Sequence, residues 1–376
     1  MIEFKILKKS KKSEARLGLL KTEHGVVETP CLVPVATQAT VKALTFEQVE
    51  RTKTQILISN AFHLHLKPGE DVIKKAGGLN KFSGWEKPFM TDSGGFQVLS
   101  LGFGMDCNVG KILKQDRKTI QGANPKNLKI MEEGVFFKSP VDGKELFLGP
   151  KESIKIQEKL GTDIIFAFDE CTSPLASKEY VEKSLEKTHK WAGICLKAKK
   201  SKQSLFGIIQ GGRFRDLRKR SAKLIGGLDF DGFGIGGEFG NNKKKMTQMI
   251  NWVLDELPEK KPRHLLGIGY IEDILPIIKS GVDTFDCIVP TRFGRHGTAF
   301  TSQGKLDLTK SKFLKENKPL DKNCGCDICQ KYTRSYICHL MKAKEITALS
   351  LITFHNLYFF NSYIEKIRND IKSGKI

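Results

Sequence analysis

The sequence predicts an α/β fold: an irregular (β/α)8 barrel of the TIM type, with an N-terminal antiparallel cap and a small cysteine-bearing C-terminal subdomain. Three observations carry this. From residue 55 onward, short apolar runs alternate with amphipathic stretches, the pattern of a parallel sheet flanked by helices. No Gly-x-Gly-x-x-Gly opens a helix in the first such unit, which disfavours a dinucleotide-binding sheet. The chain has 376 residues, enough for a barrel-sized core with an added module.

The elements follow in order. Residues 1–37 contain short β-like runs, Glu3 to Leu7, Val26-Val27 and Cys31 to Val35, broken by Gly25 and Pro30; they predict the cap. Seven barrel runs come next: Ile56 to Asn60, Phe89 to Asp92, Ile164 to Asp169, Leu205 to Gln210, Phe230 to Gly237, Leu265 to Gly269 and Thr284 to Val289. An eighth is expected at Ala299-Phe300-Thr301. Helical periodicity marks Lys178 to Lys197, Phe214 to Ile225, Lys245 to Leu257 and Ile271 to Lys279. Gly102 to Lys129 is a polar, lysine-rich excursion, and an apolar-striped helix is expected from about Thr347 to Ser373. The division is a catalytic barrel with its cap over 1–304 and a C-terminal subdomain, with a helix packed on the barrel, over 305–376.

Charge narrows the partners. Lys and Arg number 63 against 42 acids, a net +21. Solvated helix faces such as Lys243-Lys244-Lys245 account for part of it, but a balance this basic favours a polyanion such as nucleic acid. No run approaches the roughly 18 apolar residues of a bilayer span. Met1-Ile2-Glu3-Phe4 opens neither a signal peptide nor an Arg-rich transit segment. A cytoplasmic protein with no membrane partner is expected.

Nine cysteines are scattered except at Cys324-Gly325-Cys326-Asp327-Ile328-Cys329. Clustered cysteines in a cytosolic chain suggest metal rather than disulfides. Gly325 permits the tight turn that lets three thiolates face one ion, and a tetrahedral zinc site needs a fourth ligand from Cys338, His339 or His355. With every position filled by protein, such a metal would be structural.

Several predicted strands end in a chemically capable group: Asn60, Asp92, Asp169, Gln210, Gly236-Gly237, Gly267 and Asp286. In a barrel these ends share one rim, where such enzymes keep their sites. Singly, each has a bland reading as a helix cap or a turn. Three aspartates on one rim are harder to dismiss, because like charges raise one another's pKa. Two carboxylates flanking a glycosidic bond perform retaining glycosyl transfer. A third carboxylate, an amide and a peptide N–H read a guanine-like edge, a set that Asp169, Gln210 and Gly237 fit. An aromatic such as Phe96 offers a stacking face.

The motifs resemble those of the tRNA-guanine transglycosylase (queuine tRNA-ribosyltransferase) family. They are Asn60-Ala61-Phe62-His63-Leu64 with Lys67-Pro68-Gly69, Asp92-Ser93-Gly94-Gly95-Phe96-Gln97-Val98, Ala167-Phe168-Asp169-Glu170-Cys171, Gly207 to Gly212, Gly234 to Gly237, Phe285 to Arg292, and the spacing Cys324, Cys326, Cys329, His355. They run in order along nearly the whole chain. The resemblance implies a zinc-binding subdomain with one structural Zn2+ per chain, and a homodimer. It also implies a ping-pong exchange in queuosine biosynthesis, in which the wobble guanine at position 34 of tRNAs with GUN anticodons gives way to a free 7-deazaguanine base. On that pattern Asp286 matches the nucleophile and Asp92 the general acid/base. Ser93, Gly94, Gly95, Phe96, Asp169, Gln210, Gly237, Leu266 and Gly267 match the base pocket. Gly267, Ile268, Gly269, Tyr270, Ile271, Glu272, Asp273, Thr291, Arg292, Phe293, Gly294 and Arg295 match the anticodon-contacting surface.

The chain departs from the pattern in three places. Glu238-Phe239-Gly240-Asn241-Asn242 puts Gly240 where a valine is usual, a feature of queuine-using members, although Cys171 is the bacterial choice. The excursion after Leu101 is longer than usual, and Phe96 replaces the commoner tyrosine. 7-Aminomethyl-7-deazaguanine is the expected incoming base, with queuine the alternative. A non-catalytic tRNA-binding subunit is disfavoured because Asp92 and Asp286 are both present. The archaeal relatives that act near the D-arm are disfavoured because no further RNA-binding domain follows before Ile376.

Overall fold

Period-two alternation builds the N-terminal sheet, in which β1 (Glu3–Lys9), β2 (Arg16–Thr22) and β3 (Gly25–Thr29) pair antiparallel in that order. Leu20 and Val27 of this sheet join the apolar cluster made by Ile58, Met90, Ile164, Phe166 and Phe206. The Ile2 N–H donates to Ser204 Oγ, at the first residue of a barrel strand. The cap thus closes the mouth at the strands' N-terminal ends, and the opposite mouth is left for chemistry. The computed structural model describes residues 2–97, 128–173, 175–237 and 243–376. Most of the lysine-rich excursion and Glu238 to Asn242 lie outside them.

The barrel starts with β4 (Cys31–Pro34), β5 (Leu57–Ser59) and β6 (Phe89–Thr91). An antiparallel insertion of β7 (Leu128–Ile130), β8 (Val135–Lys138) and β9 (Glu145–Leu148) follows. The barrel resumes with β10 (Ile164–Phe166), β11 (Ser204–Ile209), β12 (Gly232–Ile235), β13 (Arg263–Leu265) and β14 (Thr284–Cys287). The eight parallel strands run β4-β14-β13-β12-β11-β10-β6-β5. A parallel bridge from Val35 to Ile58 brings the two ends together, so the sheet is nearly closed. Gly232 and Gly234 make room for aromatic packing: a Cβ at either would lie 2.5 Å or 2.6 Å from Phe206 or Ile208. The helices Lys178–Ala198, Arg215–Gly226, Lys243–Leu254 and Ile271–Lys279 surround it at or near the expected bounds.

Two expectations are corrected. Cys31 to Pro34 is not part of the cap but the first barrel strand, paired in parallel with β14 along its whole length. All four residues are buried, as a strand covered on both faces requires. The predicted eighth strand is instead β15 (Thr298–Thr301), which forms an antiparallel hairpin with β16 (Gly304–Asp307).

Aspartates at the capped mouth serve the backbone. Asp163, Asp231 and Asp283 each accept an N–H from the neighbouring strand, at Phe89, Leu205 and Arg263. Asp283 also holds the buried Arg16 guanidinium through two bonds, of 2.8 Å and 2.6 Å. The long helix Ile346–Ser373 lies across the barrel. Asn356 accepts from Phe300 N and donates to Pro290 O and Thr298 O, while Asn361 donates to Thr52 O. No helix among the described residues is long and apolar enough to cross a membrane.

Candidate active site

The open mouth holds a cavity of about 290 Å³ whose walls include Asn60, Asp92, Ser93, Phe96, Asp169, Gln210, Gly236, Gly237, Leu266, Gly267 and Asp286. The strand-end residues singled out from sequence therefore converge on one space. Val35, Thr37, His63, Cys171 and Ile288 line it as well; Ile288, 47 % exposed, forms an apolar lip.

Asp92 follows β6 and sits in a cradle of donors. Asn60 caps the helix Ala61–Leu66 by accepting from His63 N, and its Nδ2 donates to Asp92 Oδ2 at 2.6 Å. Ala61 N and Gly94 N donate to Oδ1, and Gln97 Nε2 donates to Oδ2. Burial outweighs these bonds and, with the nearby Asp286 charge adding to it, pushes the Asp92 carboxyl up to about 7. The side chain is partly exposed, and its opening is the cavity itself. A carboxyl that titrates near neutrality can both give and take a proton.

This shift has a testable sign. The folded chain keeps the Asp92 proton up to pH about 7, while the unfolded chain releases it near the ordinary 3.8. Between those values the folded state binds the extra proton, so this group's stability contribution is intact below about pH 4 and is lost as pH rises through 7. The unfolding free energy of Asp92→Asn, relative to the unmodified chain, should rise by up to about 3 kcal/mol between pH 5 and pH 8. Denaturant unfolding at the two pH values measures it, and a difference that does not change with pH would refute the raised pKa.

Asp169, beyond β10, is buried; it accepts from Gln210 Nε2 at 2.7 Å and from Ser93 Oγ at 3.4 Å. Gly95 approaches closely: a Cβ there would stand 2.7 Å from the Asp169 carbonyl oxygen. Gly237 has φ +91°, and a Cβ would meet Gln210 Oε1 at 3.0 Å, so a side chain is excluded from this wall. Sequence reasoning missed Arg218, which is fully buried behind that wall and donates to Gly212 O and Gly236 O. Asp286, the third residue of β14, accepts at Oδ1 from Gly267 N at 2.7 Å and faces His264 Nε2 at 3.2 Å. His264 was also missed.

The expected anticodon-contacting set is split by burial. Glu272 and Arg292 are exposed, and Gly267, Tyr270, Ile271, Phe293 and Arg295 are partly so. Ile268, Gly269, Asp273, Thr291 and Gly294 are buried. Gly294 packs so closely on the long helix that a Cβ would lie 2.6 Å from Thr353 Oγ1.

The sequence that builds this fold is matched by known proteins. A family model described as queuine tRNA-ribosyltransferase matches residues 10–376. A Halothermothrix orenii protein named queuine tRNA-ribosyltransferase is 46 % identical over 100 % of this chain and 95 % of its own length. The chain belongs to the queuine tRNA-ribosyltransferase family. Two further members are 44 % identical: a queuine tRNA-ribosyltransferase of Caldanaerobacter subterraneus, over 100 % of this chain and 95 % of its own, and a putative one of Archaeoglobus fulgidus, over 96 % and 94 %.

In this family member the four C-terminal donors also meet. Single ligand atoms of Cys324, Cys326, Cys329 and His355 all lie within 4.8 Å of one another, and all four residues are buried. His355 Nδ1 is 3.4 Å from Cys326 Sγ and 3.3 Å from Cys329 Sγ. A tetrahedral ion with bonds of about 2.3 Å to sulfur and 2.0–2.1 Å to nitrogen needs separations of roughly 3.5 Å. His355 Nε2 lies 2.8 Å from Phe300 O, which turns Nδ1 toward the thiols. The quartet can hold a metal ion; Cys338 and His339, the other candidates, are not in it.

Proposed function

We propose that this chain is a tRNA-guanine transglycosylase that replaces the wobble guanine of GUN anticodons with 7-aminomethyl-7-deazaguanine, in queuosine biosynthesis. The observation that carries the reading is the pair Asp92 and Asp286 in one cavity, electrostatically coupled, with Asp169, Gln210 and Gly237 on the same wall system. The guanine to be removed lies against Phe96. Asp169 accepts from its ring N–H and exocyclic amine, and Gln210 and Gly237 N–H reach its carbonyl oxygen. An Asp286 oxygen attacks C1′ of the ribose. As the new C1′–O bond forms, the bond from C1′ to the purine nitrogen breaks and its electron pair leaves with the base, which Asp92 protonates.

Guanine then leaves and the 7-deazaguanine enters the same space. Asp92 takes the proton from its ring nitrogen, that nitrogen attacks C1′, and the aspartyl ester opens to restore the Asp286 carboxylate, leaving Asp92 protonated as it began. Two inversions give net retention. No nucleotide or redox cofactor is required, because one glycosidic bond replaces another. Arg292, Arg295 and the segment after Gly267 face the anticodon, and two chains form the working homodimer. Residues 1–304 supply the catalytic barrel, and 305–376 the zinc-binding subdomain and its packed helix. Cys324, Cys326, Cys329 and His355 would hold the zinc, whose bound chemistry is structural.

Queuine is the second reading, because the resemblance puts Gly240 at a position where queuine-using members carry a small residue. Competition of labelled guanine, the aminomethyl base and queuine for one anticodon stem-loop tests both. The aminomethyl base should displace guanine and resist back-exchange. Preference for queuine selects the second reading, and failure of all three to enter RNA removes the function.

A further inference from the structure

The geometry points to His264 as a positioning residue that fixes the nucleophilic carboxylate of Asp286 through its Nε2–H. The inference deepens the proposed function, because it rests on Asp286 being the nucleophile. His264 is the middle residue of β13 and is fully buried, so its ordinary interpretation is a satisfied core histidine. The register of the barrel argues otherwise. His264 pairs across the sheet with Thr284, and Asp286 lies two residues further along β14, on the same face as Thr284. The imidazole bridges those two positions. Its Nδ1 is 2.8 Å from Thr284 Oγ1, and its Nε2 is 3.2 Å from Asp286 Oδ1.

The proton positions follow from the partners. An ionised carboxylate only accepts, so the nitrogen facing Asp286 must carry hydrogen. In the neutral ring Nδ1 then accepts, and Thr284, whose hydroxyl can turn either way, donates to it. Thr284 therefore selects the tautomer that holds Asp286. Gly267 N donates to the same Oδ1 at 2.7 Å, so two donors, from β13 and the loop after it, anchor that oxygen and restrict how the carboxylate can turn. The Phe166 ring, 5.4 Å from the imidazole at 52°, packs against the histidine from another strand. His264 moves no proton in the reaction. It limits the orientations from which Asp286 can reach C1′, and attack geometry is sensitive to such freedom.

Three variants and one spectrum test this in the full-length chain. His264→Leu keeps an apolar body but no donor, and should lower kcat for guanine exchange about 10- to 100-fold, with KM for tRNA and for base within about threefold. His264→Gln, whose amide can donate from a similar distance, should regain most of that loss. Thr284→Val removes tautomer selection alone and should cost about 3- to 10-fold in kcat. 15N-resolved spectra of histidine-labelled protein should show His264 protonated at Nε2, and a bare Nε2 overturns the inference. Unchanged kcat in His264→Leu also overturns it, provided Asp286→Asn is inactive. An active Asp286→Asn overturns the nucleophile assignment, and this inference with it. Should His264→Leu fail to fold, Thr284→Val and the spectrum decide.

Discussion

Asp286→Asn and Asp286→Ala are each expected to lower guanine exchange into an anticodon stem-loop by about 10⁴-fold or more, while tRNA affinity stays within a few-fold. The reason lies in where the carboxylate acts. Oδ1 is engaged by Gly267 N and lies beside His264 Nε2, so the group is oriented at the barrel mouth, where it lines the cavity. Asp283, three residues earlier, is the contrast: it binds Arg16 and Arg263 N at the opposite end, and its loss would leave a buried arginine unpaired at a cost of about 3–5 kcal/mol. An interaction made only in the transition state costs kcat and leaves binding in place. A direct view comes from mixing enzyme with substrate RNA and no free base. A denaturant-stable adduct, with the mass of chain plus RNA less the expelled guanine, should form with the unmodified protein and be absent from both variants. Full exchange in Asp286→Asn would end the covalent scheme.

The strand-end residues were legible because a barrel imposes a common geography. Once seven apolar runs are taken as parallel strands, Asn60, Asp92, Asp169, Gln210, Gly237 and Asp286 must share a rim, and they line one cavity. What escaped depends on register and on pairing partners, which one sequence does not carry. Cys31 to Pro34 follows directly on an antiparallel hairpin and so reads as its continuation; only its pairing with β14 makes it a barrel strand. Its unbroken apolar run, Cys31-Leu32-Val33-Pro34, was the available signal. Ala299-Phe300-Thr301 has the right composition for a strand, but a two-residue turn at Ser302-Gln303 returns the chain onto it. His264, between two buried neighbours, looks like core until the register sets it opposite Thr284 and near Asp286. Arg218 is hidden for a similar reason: an arginine in the amphipathic stretch Arg215–Gly226 reads as solvated, and it is buried because carbonyl oxygens at Gly212 and Gly236 receive it.

Disrupting the Cys324, Cys326, Cys329 and His355 quartet, proposed above to hold zinc, should have the largest effect on stability. The three cysteines and His355 are buried together, and His355 sits within the 28-residue helix Ile346–Ser373, which is fastened to the barrel through Asn356 and Asn361. Without an ion, three thiols and an imidazole share one buried site with little else to satisfy them. Structural zinc contributes on the order of 10–16 kcal/mol in small finger peptides. Even a third of that, about 5 kcal/mol, is a large part of the 5–15 kcal/mol that holds a typical domain together. Cys326→Ser should therefore weaken metal binding at the quartet and lower Tm by roughly 6 °C or more. The cavity residues lie on barrel strands and loops outside the quartet, so chemistry at low temperature should survive better than the fold does on heating. Metal analysis after denaturation should find one zinc per chain. A metal-free chain with an unchanged Tm in Cys326→Ser would show that the quartet is four packed side chains, and that the long helix is held by contacts such as those of Asn356, Asn361 and Arg368 and by its apolar face.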